Sequence, residues 1–163
     1  MFVNPEESEL SAIRSIVKLD AIQIHGLPVQ KKFASLNGSA FILAIGVSDS
    51  HPSEKIARFS QFFDALSCDT HHPNLYGGTG KSFDWKTVKH LNNKYRVILA
   101  GGLSPENVAR AVEIASPYAV DINSGIEAYP GKKDPAKLKQ IFQKLRKYRI
   151  DWKPEREQLF PLA

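Results

Sequence analysis

Val97-Ile98-Leu99-Ala100-Gly101-Gly102-Leu103-Ser104-Pro105-Glu106-Asn107-Val108 is a complete strand-to-helix joint. The apolar run reads as a strand, the paired glycines as a short turn, and Ser104 followed by Pro105 as a helix start. The same start signal stands at Asn4-Pro5, ahead of Leu10, Ile13, Ile16 and Val17 at helical spacing. It returns at Asp134-Pro135, ahead of Leu138, Ile141, Phe142 and Leu145. The first helix is expected from Pro5 to Val17, with Asn4 as its N-cap and Pro5 at its first position.

Outward from this joint, short apolar runs alternate with helical segments at a spacing of about 20 to 25 residues, the pattern of βα units on a parallel sheet. Strands are expected over residues 21–24, 41–47, 62–68, 97–100 and 119–122, and Met1-Phe2-Val3 reads as the tail of another. Their apolar residues are nearly continuous, as in strands covered on both faces. Three helices opened by a capping residue and a proline favour a (β/α) barrel over a mixed α/β fold. Residues 1–147 are expected to form the barrel portion and 148–163 a C-terminal tail, where periodicity is lost and Pro154 and Pro161 occur.

With 163 residues, 42% hydrophobic and 24% charged, the chain is expected to be one soluble globular domain. Apolar runs of about seven residues are too short for a bilayer, and no export signal opens the chain. One cysteine excludes an internal disulfide and fits a reducing cytoplasm. The net charge of +5, from 22 basic and 17 acidic residues, suits either nucleic acid or anionic small molecules. The cations concentrate between Lys132 and Arg149 without interleaved stacking aromatics, so neither a nucleic-acid nor a membrane partner is expected.

Two regions could carry chemistry. The apolar run ending in Cys68-Asp69-Thr70 puts a carboxylate at the carboxyl end of a buried strand, the end at which parallel α/β proteins bind ligands. A loop with Gly77, Gly78, Gly80 and Lys81 follows it. Asp69 either caps loop amides or, between apolar walls, holds a proton to donate. Its neighbour Cys68 must point to the opposite face, toward the helices, and reads as a core thiol. The second region pairs Gly101-Gly102 with Asp121-Ile122-Asn123-Ser124-Gly125 after the next strand. Both turns present small residues whose amides can approach an anion, and two in succession favour phosphate over mere tight turning. His25, after Gln23, either lines the cavity mouth or makes a structural hydrogen bond. His71 and His72 lack metal-ligand spacing, and no metal site is expected.

Taken together, Asp20-Ala21-Ile22-Gln23-Ile24-His25-Gly26, Ala44-Ile45-Gly46-Val47-Ser48, Cys68-Asp69-Thr70 with Gly77-Gly78-Thr79-Gly80-Lys81-Ser82-Phe83-Asp84-Trp85, the Ala100–Val108 block, and Val120-Asp121-Ile122-Asn123-Ser124-Gly125-Ile126-Glu127 with Pro130-Gly131-Lys132-Lys133-Asp134 resemble phosphoribosylanthranilate isomerases in order and spacing. The resemblance runs from Met1 to about Lys147. It implies a TIM barrel, (β/α)8, that rearranges N-(5′-phosphoribosyl)anthranilate into 1-(2-carboxyphenylamino)-1-deoxyribulose 5-phosphate in tryptophan biosynthesis, with neither cofactor nor metal. By position it makes Asp69 the general acid that protonates the furanose ring oxygen. Gly101, Gly102, Ser124 and Gly125 become the phosphate site, Gln23 and Asp121 cavity-lining groups, and Gly78 and Gly80 part of the loop beside the acid.

The sequence also departs from that pattern. The family opens on a strand of Lys-Ile-Cys-Gly-Ile-Thr type whose cysteine is the general base, and a second strand supplies an arginine for the anthranilate carboxylate. Neither motif occurs here. Met1 to Asn4 aligns inside the third strand, so two βα units and the front of a third, on the order of 60 residues, are expected to be missing. About five to six βα units cannot close the barrel, and their open edges invite self-association. The expectation is an isomerase impaired by the lack of its base; the alternative is a non-catalytic remnant that binds phosphate or pairs with itself.

Overall fold

The computed structural model describes residues 1–26, 38–47, 56–57, 60–70 and 84–149. They form a six-stranded parallel sheet whose spatial order is its sequence order: β1 (Phe2–Val3), β2 (Ala21–His25), β3 (Ala40–Val47), β4 (Ala65–Thr70), β5 (Val97–Leu99) and β6 (Ala119–Val120). Sequential order without a reversal is that of a barrel wall, since a doubly wound sheet turns back at a switch point. Among the described residues the sheet is open, with β1 and β6 as its edges. Among the helices of the described residues are α1 (Glu7–Ile16), α2 (Lys86–Asn92), α3 (Val108–Ala115) and α4 (Pro135–Leu145). A short antiparallel hairpin, β7 (Glu127–Tyr129) with β8 (Lys132–Lys133), precedes α4.

Register and burial divide every strand between two faces. Ile22, Ile24, Leu43, Val47, Leu66, Cys68, Val97 and Leu99 join one large apolar cluster with Leu10 of α1, Val88 and Leu91 of α2, and Ala111 and Ala115 of α3. This is the outer, helix-covered face. The alternate positions pair across the strands as His25–Ala44–Ser67–Ile98–Ala119, with Gln23–Ile42–Ala65 one layer below. Among the described residues this inner face carries a small cluster, around Ile42 and Ala65 with Ala21, Ile98 and Tyr118. The bulky aliphatics that hold the sheet therefore lie on one side, and the small and polar residues on the other.

Several boundaries differ from the sequence reading. The fourth strand begins at Ala65, not Phe62, because Ser60–Phe62 is a 3-10 turn and Asp64 closes the foot of β3. The Phe41 amide donates to Asp64 Oδ2 at 2.8 Å, and the Asp64 amide donates to the Phe41 carbonyl at 2.8 Å. Phe63 is used instead against Tyr95, with ring centroids 5.6 Å apart. Asn4 does not cap α1, which starts at Glu7 after Glu6. The Asn4 amide instead donates to His25 O at 2.9 Å, extending the β1–β2 ladder, and Asn4 takes a left-handed φ of 45°. Strands 97–100 and 119–122 are shorter than expected, at Val97–Leu99 and Ala119–Val120.

Of the other two start signals, Asp134-Pro135 holds, while at Ser104-Pro105 the helix begins only at Val108, with Asn107 in the N-cap position and no side-chain cap. Asp134 Oδ1 accepts from the amides of Ala136 at 2.8 Å and Lys137 at 3.3 Å, with Pro135 at the first helical position. Ser104 O accepts from the Val108 amide at 3.0 Å, so the turn at Pro105 runs directly into α3. The C-terminal residues 150–163 lie outside the described part.

Candidate active site

The carboxyl rim of the inner face collects the polar residues singled out in the sequence. Asp69 is paired with Gly46 in register, one layer above His25, Ala44 and Ser67. Its neighbour in the next strand is Ala100, whose amide donates to Cys68 O at 2.8 Å. Beyond it stands Asp121, whose amide donates to Leu99 O at 2.9 Å. Asp69, Ala100 and Asp121 thus form one row at the carboxyl ends of three strands, and Ala100 leads straight into Gly101-Gly102.

His25 and Gln23 share the inner face of β2, two residues apart, and their Nε2 atoms lie 3.2 Å from each other. Only 8% of His25 is exposed. Burial holds its imidazole below its ordinary pKa; Asp69, and after it Asp121, oppose this, while the Met1 amino group adds to it. The same field therefore links all three groups at one rim. Cys68 is fully buried among the outer-face aliphatics, and burial pushes its thiol up to about 12. A thiol that stays protonated and faces the helices is no proton acceptor for this rim.

Gly101 and Gly102 both adopt left-handed backbone, with φ of 83° and 63°, which an L side chain resists. Asn107 braces this turn from below: its Nδ2 donates to Gly102 O at 2.8 Å and its Oδ1 accepts from the Ser104 amide at 2.8 Å. Ser124 and Gly125 lie in the 3-10 turn Ser124–Ile126 that follows β6. A methyl on Gly125 would overlap the Leu103 carbonyl oxygen, 2.8 Å from its carbon and 3.1 Å from Ser104 Cα. The two turns are therefore pressed together, and packing alone accounts for the absence of a side chain at Gly125. Gly78, Gly80, His71 and His72 fall outside the described residues.

One feature of the site has no counterpart in the sequence reading. Lys133 of β8 reaches back to the start of the second turn, its Nζ donating to Asn123 O at 2.9 Å, to Asn123 Oδ1 and to Glu127 Oε1 at 2.9 Å. The Pro130-Gly131 turn between Glu127 and Lys133 is the hairpin signal that could have shown it.

A parallel wall of βα units with a carboxylate and two apposed glycine turns on its carboxyl rim is the architecture of a barrel enzyme. The family model for N-(5′-phosphoribosyl)anthranilate isomerase matches residues 1–144. The enzyme of that name from Thermotoga maritima is 37% identical over 145 residues, covering 88% of this chain and 69% of the relative. The crystal structure of phosphoribosyl anthranilate isomerase from Thermotoga maritima superposes with a TM-score of 0.77 at 36% identity, over 90% of this chain and 71% of that one. A phosphoribosyl anthranilate isomerase in complex with reduced 1-(o-carboxyphenylamino)-1-deoxyribulose 5-phosphate gives a TM-score of 0.73 at 32% identity, over 90% and 69% of the two chains. The chain belongs to the N-(5′-phosphoribosyl)anthranilate isomerase family. Among the described residues, no helix is long and apolar enough to cross a membrane.

Proposed function

We propose that this chain serves the isomerisation of N-(5′-phosphoribosyl)anthranilate in tryptophan biosynthesis, with Asp69 as proton donor and the turns at Gly101-Gly102 and Ser124-Gly125 as the phosphate cradle. The observation that carries this reading is the continuity of the rim. Asp69 shares a row with Ala100, Ala100 opens the first glycine turn, and Gly125 seats the second turn against Leu103. Gln23, His25 and Asp121 line the remainder. Residues 1–147 are the barrel portion, 148–163 a tail, and the cytoplasm is the compartment.

The chemistry needs a proton donor for ring opening and a proton acceptor for the carbon skeleton. Protonation of the furanose ring oxygen breaks its bond to C1′ and leaves an iminium ion on the anthranilate nitrogen. Removal of the C2′ proton then gives an enolamine, which becomes the ketone by taking a proton at C1′ and releasing the 2′-hydroxyl proton. Asp69 supplies the first proton. Cys68 does not take the second, since it lies buried on the opposite face. The 163 residues hold no other cysteine. They provide the acid half of the reaction, and little turnover is expected from them alone.

Asp69→Asn tests the assignment. In a preparation that turns over, whether these residues alone or complemented by the first two βα units of the Thermotoga maritima relative, it should lower the rate by roughly 10²- to 10⁴-fold. An unchanged rate would refute the acid. Full-rate turnover by the 163 residues alone would refute the account of the base. The unpaired edges of β1 and β6 favour a second reading, a non-catalytic module that binds phosphate and associates with itself. A monomer in sedimentation that binds no sugar phosphate counts against it.

A further inference from the structure

We infer that Lys133 is a positioning residue for the anion site, holding the Ser124-Gly125 turn in place from beneath. This rests on the phosphate-cradle reading and adds the device that keeps half of the cradle assembled. Asn123 has an uncommon backbone conformation, φ −114° and ψ −84°, just before the two amides that would face the phosphate. Locally the Ile126 amide donates to the Asn123 carbonyl at a long 3.3 Å, and a strained residue of this kind persists where further contacts reinforce it. The ammonium of Lys133 adds them, since one cation engages both the main-chain and side-chain oxygens of Asn123.

The same ammonium donates to Glu127 Oε1 at 2.9 Å, and Glu127 keeps 15% of its side-chain exposure against 43% for Lys133. Glu127 is held ionised by this contact, which anchors the cation on the hairpin. On its far side the turn abuts Leu103, where no methyl fits on Gly125. The turn is thus clamped between Lys133 and the first glycine turn. A clamp of this kind lowers the ordering cost of binding, because the amides need not be arranged when the ligand arrives. Lys133 also adds positive charge near the anion, without having to touch it.

Lys137 supplies the control. Its Nζ donates to Glu127 O at 2.7 Å, so it secures the same hairpin but not Asn123. The test compares the 163-residue wild type, Lys133→Met and Lys137→Met by calorimetric titration with inorganic phosphate and with the reduced carboxyphenylamino-deoxyribulose 5-phosphate. Thermal unfolding of each protein is followed in parallel. The expected result is at least a tenfold loss of affinity for both ligands in Lys133→Met, while Lys137→Met stays within about twofold of wild type. Equal losses in the two variants would reduce Lys133 to general support of the hairpin and overturn the inference. Wild-type affinity in a folded Lys133→Met would overturn it too, leaving the phosphate reading intact. If the wild type binds neither ligand, the phosphate reading itself falls and the inference with it.

Discussion

Gly125→Ala probes the contact on which the two-turn site depends. The added methyl would overlap the Leu103 carbonyl oxygen and lie 2.8 Å from its carbon. Non-bonded carbons rest about 3.5–4.0 Å apart, so the turns must separate by roughly 1 Å. Both partners are main chain, and no side-chain rotation relieves the clash. Overpacking of this kind costs about 1–3 kcal/mol. For a chain of this size, each kcal/mol lowers the melting temperature by about 2–4 °C, so a fall of roughly 2–12 °C is expected. Separating the turns also disrupts hydrogen bonds to a charged ligand, each contributing about 1.5–3 kcal/mol, and phosphate affinity should fall on the order of 10- to 100-fold. Gly131→Ala is the matched comparison: its methyl meets nothing within 4 Å, but φ is 83°. It should lose about 1–2 kcal/mol through backbone strain and no phosphate affinity. Circular-dichroism melts and calorimetric phosphate titrations of both variants decide the matter. A Gly125→Ala protein that melts and binds like wild type would refute the apposition of the turns.

Three further outcomes follow from single residues. The folded-state pKa of His25 lies below its ordinary value, so below about pH 6.5 the unfolded chain takes up a proton that the folded one refuses. Stability should therefore decline as pH falls through that range, and His25→Gln should flatten the decline in melts between pH 7 and 5; equal slopes would contradict it. Cys68, with its thiol pushed up to about 12, should resist a chromogenic disulfide reagent at pH 8 in the native protein and react fully in guanidinium, so prompt native labelling would place it wrongly. Asp134→Ala removes the acceptor for two amides at the head of α4 and should cost about 1 kcal/mol in chemical denaturation; no loss would show that the cap is idle.

What could be read from the sequence follows the range of each interaction. Strand order, the cap at Asp134 and the turn from Gly102 into α3 are encoded within a few residues, and they stand as expected. The outward direction of Cys68 also follows from alternation, once Asp69 is assigned to the rim. The errors arose where a distant group decided a local boundary. Phe62 looked like strand because it is apolar, but the exchange between Asp64 and Phe41 starts the strand at Ala65. Asn4-Pro5 carries the signal of a cap, but Asn4 is bound to the end of β2: its backbone N–H donates to His25 O and its side chain lies against Gly26. Lys133 was hidden for the same reason, since its partner Asn123 lies across a hairpin.

The two-sided character of the strands bears on how such a protein can change. Ile22, Leu43, Leu66 and Leu99 knit the sheet to its helices, whereas Gln23, His25, Ala44, Ser67 and Asp69 look the other way and contribute nothing to that large cluster. Substitutions along the concave side therefore leave the scaffold's main adhesive untouched. New catalytic chemistry can be sampled there one position at a time, on an architecture that stays folded while the trial is made.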